Sequence, residues 1–411
     1  MSSDWKASTL GEFVRLQRGH DLTSTEQRQG PFPVMGSAGP NGTHAEFKAN
    51  GPGVVIGRSG SSMGRLHFVE SQYWPHNTCL YVTDFFGNSE RFAYYLLSTL
   101  DLASFNSGSA QPSLNRNYIY SMPIQVPSRK VQDEIVELLG SIDDQITLLR
   151  DTNETLEAIA QAIFKSWFVD FDPVKAKAQG LDPAGIDKAT AAMFPDSFDV
   201  SVLGSIPMGW QVGTIGDLLS ECSERAKGRA IEVLSAVQTG ELVRSSDLFT
   251  KKVFSDDTSK YKVVDPLSFA YNPSRINIGS IGLNESGGLG IVSPIYVVLK
   301  PHCSEDAYFF WHNLRTISLK NQIEGLSSGS VRQSLSARDF LSIRLTIPER
   351  KILTRFMVMR RAIFDLIGSN LDEIKTLSEL RDTLLLRLIS GKLKLPETLE
   401  APEIKMAVEM A

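Results

Sequence analysis

Residues 106 to 130 read NSGSAQPSLNRNYIYSMPIQVPSRK, and residues 327 to 351 read SSGSVRQSLSARDFLSIRLTIPERK. Setting Ser107 against Ser328 fixes an offset of 221 that holds without a gap to Phe168 opposite Ile389. Within that register Leu114 recurs as Leu335, Pro127 as Pro348, Arg129-Lys130 as Arg350-Lys351, and Ile142, Asp144, Ile146 and Leu156 as Ile363, Asp365, Ile367 and Leu377. A weaker echo sets WKASTLGEF, from Trp5, against WQVGTIGDL, from Trp210. An ungapped match of this length requires two copies of one plan, a variable globular segment followed by a long helix. Two copies are too few for a solenoid. The expectation is a quasi-symmetric object suited to a target with two similar halves; a duplication kept for stability alone is the plainer alternative.

In the first copy Ile135, Leu139, Ile142, Ile146, Leu149, Asn153, Leu156, Ala160, Ile163 and Trp167 follow one another at steps of four and three, the seam of a coiled coil. The matching positions of the second copy are Phe356, Arg360, Ile363, Ile367, Asn370, Ile374, Leu377, Arg381, Leu384 and Leu388, a more polar seam. Pro127 and Pro348 stand just ahead of the helix starts, where a missing N–H costs nothing. Asp172-Pro173 is expected to end the first helix, and Gly391 the second. Each helix then runs for about 40 residues, roughly 60 Å at the α-helical rise. From Arg129 to Phe168 there are eight acidic and four basic side chains, and from Glu349 to Lys392 six acidic and nine basic. Opposite signs favour the two helices lying against each other, here expected antiparallel. Asn153 and Asn370 are expected either to pair in the seam and fix its register, or to face solvent where the seam frays.

The globular segments read as β-rich with one closing helix each. The first has GVVIG at 53 to 57, LHFV at 66 to 69 and CLYV at 79 to 82, then a helix over 88 to 100; the second has LSFAY at 267 to 271 and IVSPIYVVL at 291 to 299, then a helix over 304 to 319. Between the strands lie loops dense in Gly, Ser, Asn and cations: RLQRGHDL, IGRSGSSMGR and GSAQPSLNRNY in the first, RAKGRAIE, YNPSRINIGS and SGSVRQSLSARD in the second. Such loops bring Arg, Asn and Gln to base edges and backbone N–H groups to phosphates. A single loop of this kind is most often a solvated turn; matched loops in both copies favour binding. The net charge of −5 does not exclude nucleic acid, because cations concentrated on one face matter more than the sum.

The sequence holds no GxxxxGK[ST], HExxH or GxSxG motif, and its six histidines have no ligand spacing. Tyr271-Asn272-Pro273-Ser274 lacks the second proline and the aromatic of an amino-methyltransferase signature. Cys79, Cys222 and Cys303 form no CxxC and are read as small buried hydrophobes. No window approaches 18 uninterrupted apolar residues, and MSSDWKASTL has no signal-peptide order, so a cytoplasmic protein is expected. Binding without chemistry is the reading left.

VPSRKVQDEIVELLGSIDDQI, NETLEAIAQAIFKSWFVDFDPVKAKAQG, FPDSF with LGSIPMGWQ, and LRDTLLLRLISGKL together resemble the specificity subunit of type I restriction-modification systems over essentially the whole chain. The resemblance implies an α/β fold of α+β type, with two β-rich target-recognition domains separated by two long antiparallel coiled-coil helices in pseudo-two-fold symmetry. Its segments would be 1–128 and 205–347 for recognition, 129–170 and 348–392 for the helices, 171–204 as linker and 393–411 as tail. It implies double-stranded DNA as ligand, each recognition domain reading half of a bipartite asymmetric site while the helices set the spacer. Its partners would be two modification subunits, which methylate adenine using S-adenosylmethionine, and restriction subunits, which use ATP and Mg; this chain itself would carry no catalytic residue, metal or cofactor. Recognition domains of that family vary freely, so the DNA-binding candidates rest on loop chemistry alone: Arg18, Arg58, Arg65, Gln111, Asn115 and Arg116 in the first segment, and Asn272, Arg275, Asn277, Arg332 and Gln333 in the second. Two other readings are a self-sufficient DNA methyltransferase with divergent motifs and a coiled-coil scaffold.

Overall fold

The computed structural model describes residues 5–108, 112–237, 240–248, 254–327 and 334–395. These described residues fall into two compact units, one within 1–153 and 369–411 and the other within 154–368. Two helices of 40 residues, Arg129–Phe168 and Arg350–Ile389, each lend part of their length to both units.

In the first unit Arg15–Arg18, Cys79–Asp84, Gly53–Gly57 and Leu66–Val69 lie side by side in that order as an antiparallel sheet. Gly53–Gly57 is buried along its whole length, as an apolar run covered on both faces must be. A second sheet orders Gly39–His44, Phe32–Gly36 and Trp74–Pro75. The closing helix, Glu90–Ser98, is capped by the Ser89 hydroxyl and buries Phe92, Ala93, Tyr95, Leu96 and Leu97.

The second unit repeats the plan. Leu219–Cys222, Val297–Pro301, Phe269–Tyr271 and Ile281–Leu283 form the matching antiparallel sheet, and Leu242–Arg244, Glu232–Ala236, Gly290–Val292 and Lys262–Val264 the other. IVSPIYVVL, expected as one strand, is two, because Ser293-Pro294 falls between Val292 and Val297 and proline cannot donate to a ladder. The expected single closing helix is also two, Ser304–Asn313 and Ile317–Ser327.

The duplicated residues make duplicated bonds. Trp5–Thr9 pairs antiparallel with Pro123–Pro127, as Gln211–Thr214 does with Arg344–Ile347. Thr9 with Glu12 and Thr214 with Asp217 form the same capping box. The Leu10 amide donates to Met122 O at 3.0 Å, and the Ile215 amide to Ile343 O at 2.9 Å. The start of each long helix is tied to the closing helix of its unit: buried Gln132 accepts from the Ser89 amide at 2.9 Å, and Arg350 donates to buried Asp306 at 2.6 Å.

Within the first unit the long helices share one core, Ile135, Leu139, Ile142, Ile146 and Leu149 packing with Ile374, Leu384 and Leu388. Fully burying a residue such as Leu139 contributes about 1.5–3 kcal/mol. Asn370 Nδ2 donates to Asn153 Oδ1 at 2.7 Å, and Arg381 Nη1 to Asp143 Oδ1 at 3.0 Å. Stepping back from Asn153 to Asp143 moves forward from Asn370 to Arg381, so the pair is antiparallel. Of the two expectations for the asparagines, pairing is the one observed. In the second unit the packing is aromatic, with Phe164, Trp167 and Phe168 placing ring centroids 5.7, 6.2 and 5.3 Å from that of Phe356. Leu156, Ile163, Ile363, Ile367 and Leu377 are half-buried, and Ala160 is buried.

Some terminators differ from expectation. The first helix stops at Phe168, before Asp172-Pro173; Phe171 takes a left-handed conformation, φ 58°, and the proline opens a further helix, Asp172–Ala178. Gly391 does follow the second helix, at φ 67°. The linker is structured: Val174 and Phe194 join the core of the second unit, and Phe198–Ser201 pairs with Gly204–Pro207. Cys79 is buried as expected, but Cys222 and Cys303 are only partly so. Cys303 precedes the helix Ser304–Asn313, and its sulfur accepts from Nη1 of the half-exposed Arg350 at 3.1 Å. No helix among the described residues is long and apolar enough to cross a membrane.

Candidate nucleic-acid interface

In the first unit, the edge strand Arg15–Arg18 buries Leu16 and exposes Arg15, Gln17 and Arg18. An edge strand presents unpaired backbone groups that must be covered. Here the Leu16 amide donates to the Tyr120 hydroxyl at 2.9 Å, and the Leu16 carbonyl accepts from Tyr120 at 3.1 Å and from Arg116 Nη1 at 2.9 Å. These groups floor a cleft of about 870 Å³ lined by Arg15, Gln17, Arg18, His20, Asp21, Arg116, Asn117 and Tyr120, among others. Burial, then the nearby Lys48 charge, holds His20 below the usual imidazole range. The hydrogen bond from Asn77 holds Asp21 below the usual carboxylate range.

Loops separated in sequence converge beside this cleft. The Leu114 amide donates to Arg58 O at 2.8 Å, and the Gly60 amide to Pro112 O at 3.1 Å. Arg58 Nη1 reaches Asn77 O at 3.4 Å; Asn77 Nδ2 in turn donates to Asp21, which accepts from Arg18 at 3.2 Å. Asn115 caps the short helix Arg116–Ile119, its side chain accepting from the Asn117 amide at 3.0 Å. Of the residues singled out in the sequence, Arg18 and Arg116 therefore line the cleft, and Arg58 joins it through Asn77. Asn115 is occupied as a cap, and Arg65 is exposed but does not line the cleft. Gln111 lies outside the described residues. Sequence reasoning missed Arg15, Gln17 and Asn117: RLQRGHDL was read as a loop, whereas Arg15–Arg18 is an edge strand whose alternation turns Leu16 inward and the polar side chains toward the cleft.

The second unit makes the corresponding junction. The Leu335 amide donates to Pro273 O at 3.1 Å, as Leu114 does to Arg58, each carbonyl lying just after the strand Phe269–Tyr271 or Gly53–Gly57. Asn272 is spent locally, its Oδ1 accepting from the Ser274 amide at 3.1 Å. Asn277 lines a cavity of about 450 Å³ with Ile276, Ile278, Ile281, Leu314, Arg315 and Lys320, among others. Arg315 lies 3.2 Å from the centre of the Trp311 ring, and burial lowers its pKa to about 10. Arg275 is exposed and does not line this cavity. Arg332 and Gln333 lie outside the described residues. Among the described residues no group of three or more His, Cys, Asp or Glu side chains is placed to hold a metal ion. The chemistry on offer is cations, amides and hydroxyls on loops held by a rigid sheet, suited to contact with phosphates and base edges.

Residues 2–158 match the family model described as type I restriction modification DNA specificity domain. The HindI specificity subunit of Haemophilus influenzae is 26% identical over 342 residues, covering 71% of this chain and 73% of that protein. The MjaIX specificity subunit of Methanocaldococcus jannaschii is 27% identical over 333 residues, covering 76% of this chain and 71% of its own. Among solved structures, the type I restriction-modification S subunit from M. genitalium has a TM-score of 0.57 at 14% identity, covering 96% of this chain and 97% of that one, a likeness of fold.

Proposed function

We infer that this chain, which belongs to the specificity subunits of type I restriction-modification enzymes and is itself non-catalytic, reads a bipartite asymmetric DNA site with one globular segment for each half. The observation that carries this reading is the duplicated junction, in which Leu114 and Leu335 bind equivalent carbonyls and so place polar loops beside the same sheet in each unit. Segments 1–128 and 205–347 act as the readers, and the helix pair sets the number of unread base pairs between the halves. Arg18, Arg58 and Arg116 in the first segment, and Arg275 and Asn277 in the second, face the DNA. Two modification subunits bind this chain and methylate adenine with S-adenosylmethionine, and restriction subunits use ATP and Mg; the assembly works in the cytoplasm.

The test is a segment exchange. Residues 1–125 are replaced by the corresponding segment of another specificity subunit, and the methylated adenines of a host carrying the chimera with its modification partner are mapped. One half of the recognised sequence is expected to change and the other to persist; a change in both halves refutes the assignment of one segment to one half-site. Binding of S-adenosylmethionine by the isolated chain would favour a self-sufficient methyltransferase instead.

A further inference from the structure

The arginines at the first unit's cleft differ in what is left of their donors. Arg116 donates to the Leu16 carbonyl, Arg58 reaches the Asn77 carbonyl, and Arg15 lies 5.4 Å from the centre of the Phe86 ring. Arg18 makes its ion pair to Asp21 through Nη2, at 3.2 Å, with its side chain 53% exposed. Asp21 is held from behind, since the same Oδ1 accepts from Asn77 Nδ2. Exposed ion pairs contribute little stability, so the consequence of this one is orientation. A carboxylate anchored in this way fixes the plane of the guanidinium and leaves four of its five N–H donors for a ligand. It also repels phosphate, whereas a base edge is neutral. The major-groove edge of guanine offers two acceptors, O6 and N7, at the spacing of a planar fork. The matched loop of the second unit pairs Arg229 with Glu224 at 2.6 Å, but there Nε and Nη2 also bind the carbonyls of Ala226 and Arg225, so that guanidinium braces its own loop.

Resting on the DNA-reading function above, we propose that Arg18, oriented by Asp21 and Asn77, reads a guanine in the half-site of the first unit. The full chain purified with its modification partner is titrated with duplexes in which every position of that half-site carries each of the four base pairs. Wild type prefers guanine at one position, and Arg18→Lys and Asp21→Ala each reduce that preference about ten- to a hundredfold without changing the other half-site. Asp21→Asn, which keeps the side-chain volume, replaces Asp21→Ala if the latter does not fold. A wild-type half-site without guanine on either strand overturns the proposal. So does an Arg18→Lys complex with unchanged base preference, or an Asp21 variant that binds all four duplexes more tightly by the same factor, since both mark a phosphate contact. A wild-type complex with no sequence preference would instead overturn the DNA-reading function itself.

Discussion

Asn153 and Asn370 are each 8% exposed and joined by one hydrogen bond of 2.7 Å in the helix seam, which buries Leu149 and Ile374 as well. Changing Asn153 to Leu leaves the Asn370 carboxamide buried with nothing to donate to, and Asn370→Leu leaves the Asn153 Oδ1 with nothing to accept from. An unsatisfied buried amide costs about 1–3 kcal/mol, while replacing both partners by apolar groups of similar size is close to neutral. The double variant sets Leu against Leu beside Leu149 and Ile374, and is expected to be at least as stable as wild type. The two single changes therefore couple by the sum of their separate costs, about 2–6 kcal/mol, above the few tenths found for independent sites. Urea unfolding of wild type, both singles and the double, followed by far-ultraviolet circular dichroism, measures the coupling. Light scattering on the same samples reports whether the double variant, freed of its polar register mark, forms mixed oligomers. Additivity within about 0.3 kcal/mol would mean that the two amides do not meet, and the antiparallel register built on them would fall with it.

Arg360 is 5% exposed, lies 3.7 Å from the centre of the Tyr308 ring and pairs with Glu285 at 2.6 Å. Glu285→Ala leaves a buried guanidinium without its counter-charge and is expected to cost about 3–5 kcal/mol, more than Arg360→Met, which removes the charge altogether; the reverse order in unfolding measurements would show the pair to be dispensable. His312 is 2% exposed and stacked on Phe164, and burial, followed by the Arg360 and Arg315 charges, holds its pKa well below 6.5. The unfolded chain takes up this proton near the ordinary value and the folded chain does not, so the contribution to stability is complete above pH 6.5 and declines as the pH falls below it. The stability difference between wild type and His312→Gln should thus shrink from pH 7.5 to pH 5; parallel pH curves for the two would refute it.

What could be read from the chain follows from the range of each interaction. The helices were legible because Ile135 to Leu388 repeat a local period that burial then enforces, whereas the asparagine pair was legible only as one of two options, the other being a frayed seam facing solvent. The strands GVVIG and CLYV were legible for the same reason as the helices. The stop after Phe168 was not, since it depends on what the chain packs against next; the break at Ser293-Pro294 was written in the sequence as proline's missing donor and was overlooked. Arg15, Gln17 and Asn117 escaped because a cleft joins residues about a hundred positions apart, and nothing in RLQR announces that Arg116 and Tyr120 will cover Leu16. Asn115 and Asn272 show the ambiguity from the other side: polar residues in loops are as useful for capping and turning the chain as for meeting a ligand, and both make such local bonds.

The residues that repeat and the residues that do not divide the labour within each unit. Leu114 and Leu335, the two capping boxes, and the bonds of Leu10 and Ile215 to Met122 and Ile343 build the same frame twice. The concavities on that frame differ. One in the first unit is lined by Arg15, Arg18, Gln17 and Asn117, and one in the second by Ile276, Ile278, Ile281 and Leu314 around Arg315 and Lys320. Isoleucine side chains make apolar contacts and have no donors, whereas guanidinium and amide groups select acceptor patterns. Under the DNA-reading function proposed above, surfaces that differ in this way are expected to select different base edges, giving an asymmetric site on a duplicated frame. The contacts that hold the loops recur between the two copies and the side chains lining these concavities do not, so the duplication is plain in the sequence while the bases to be read under this function are not.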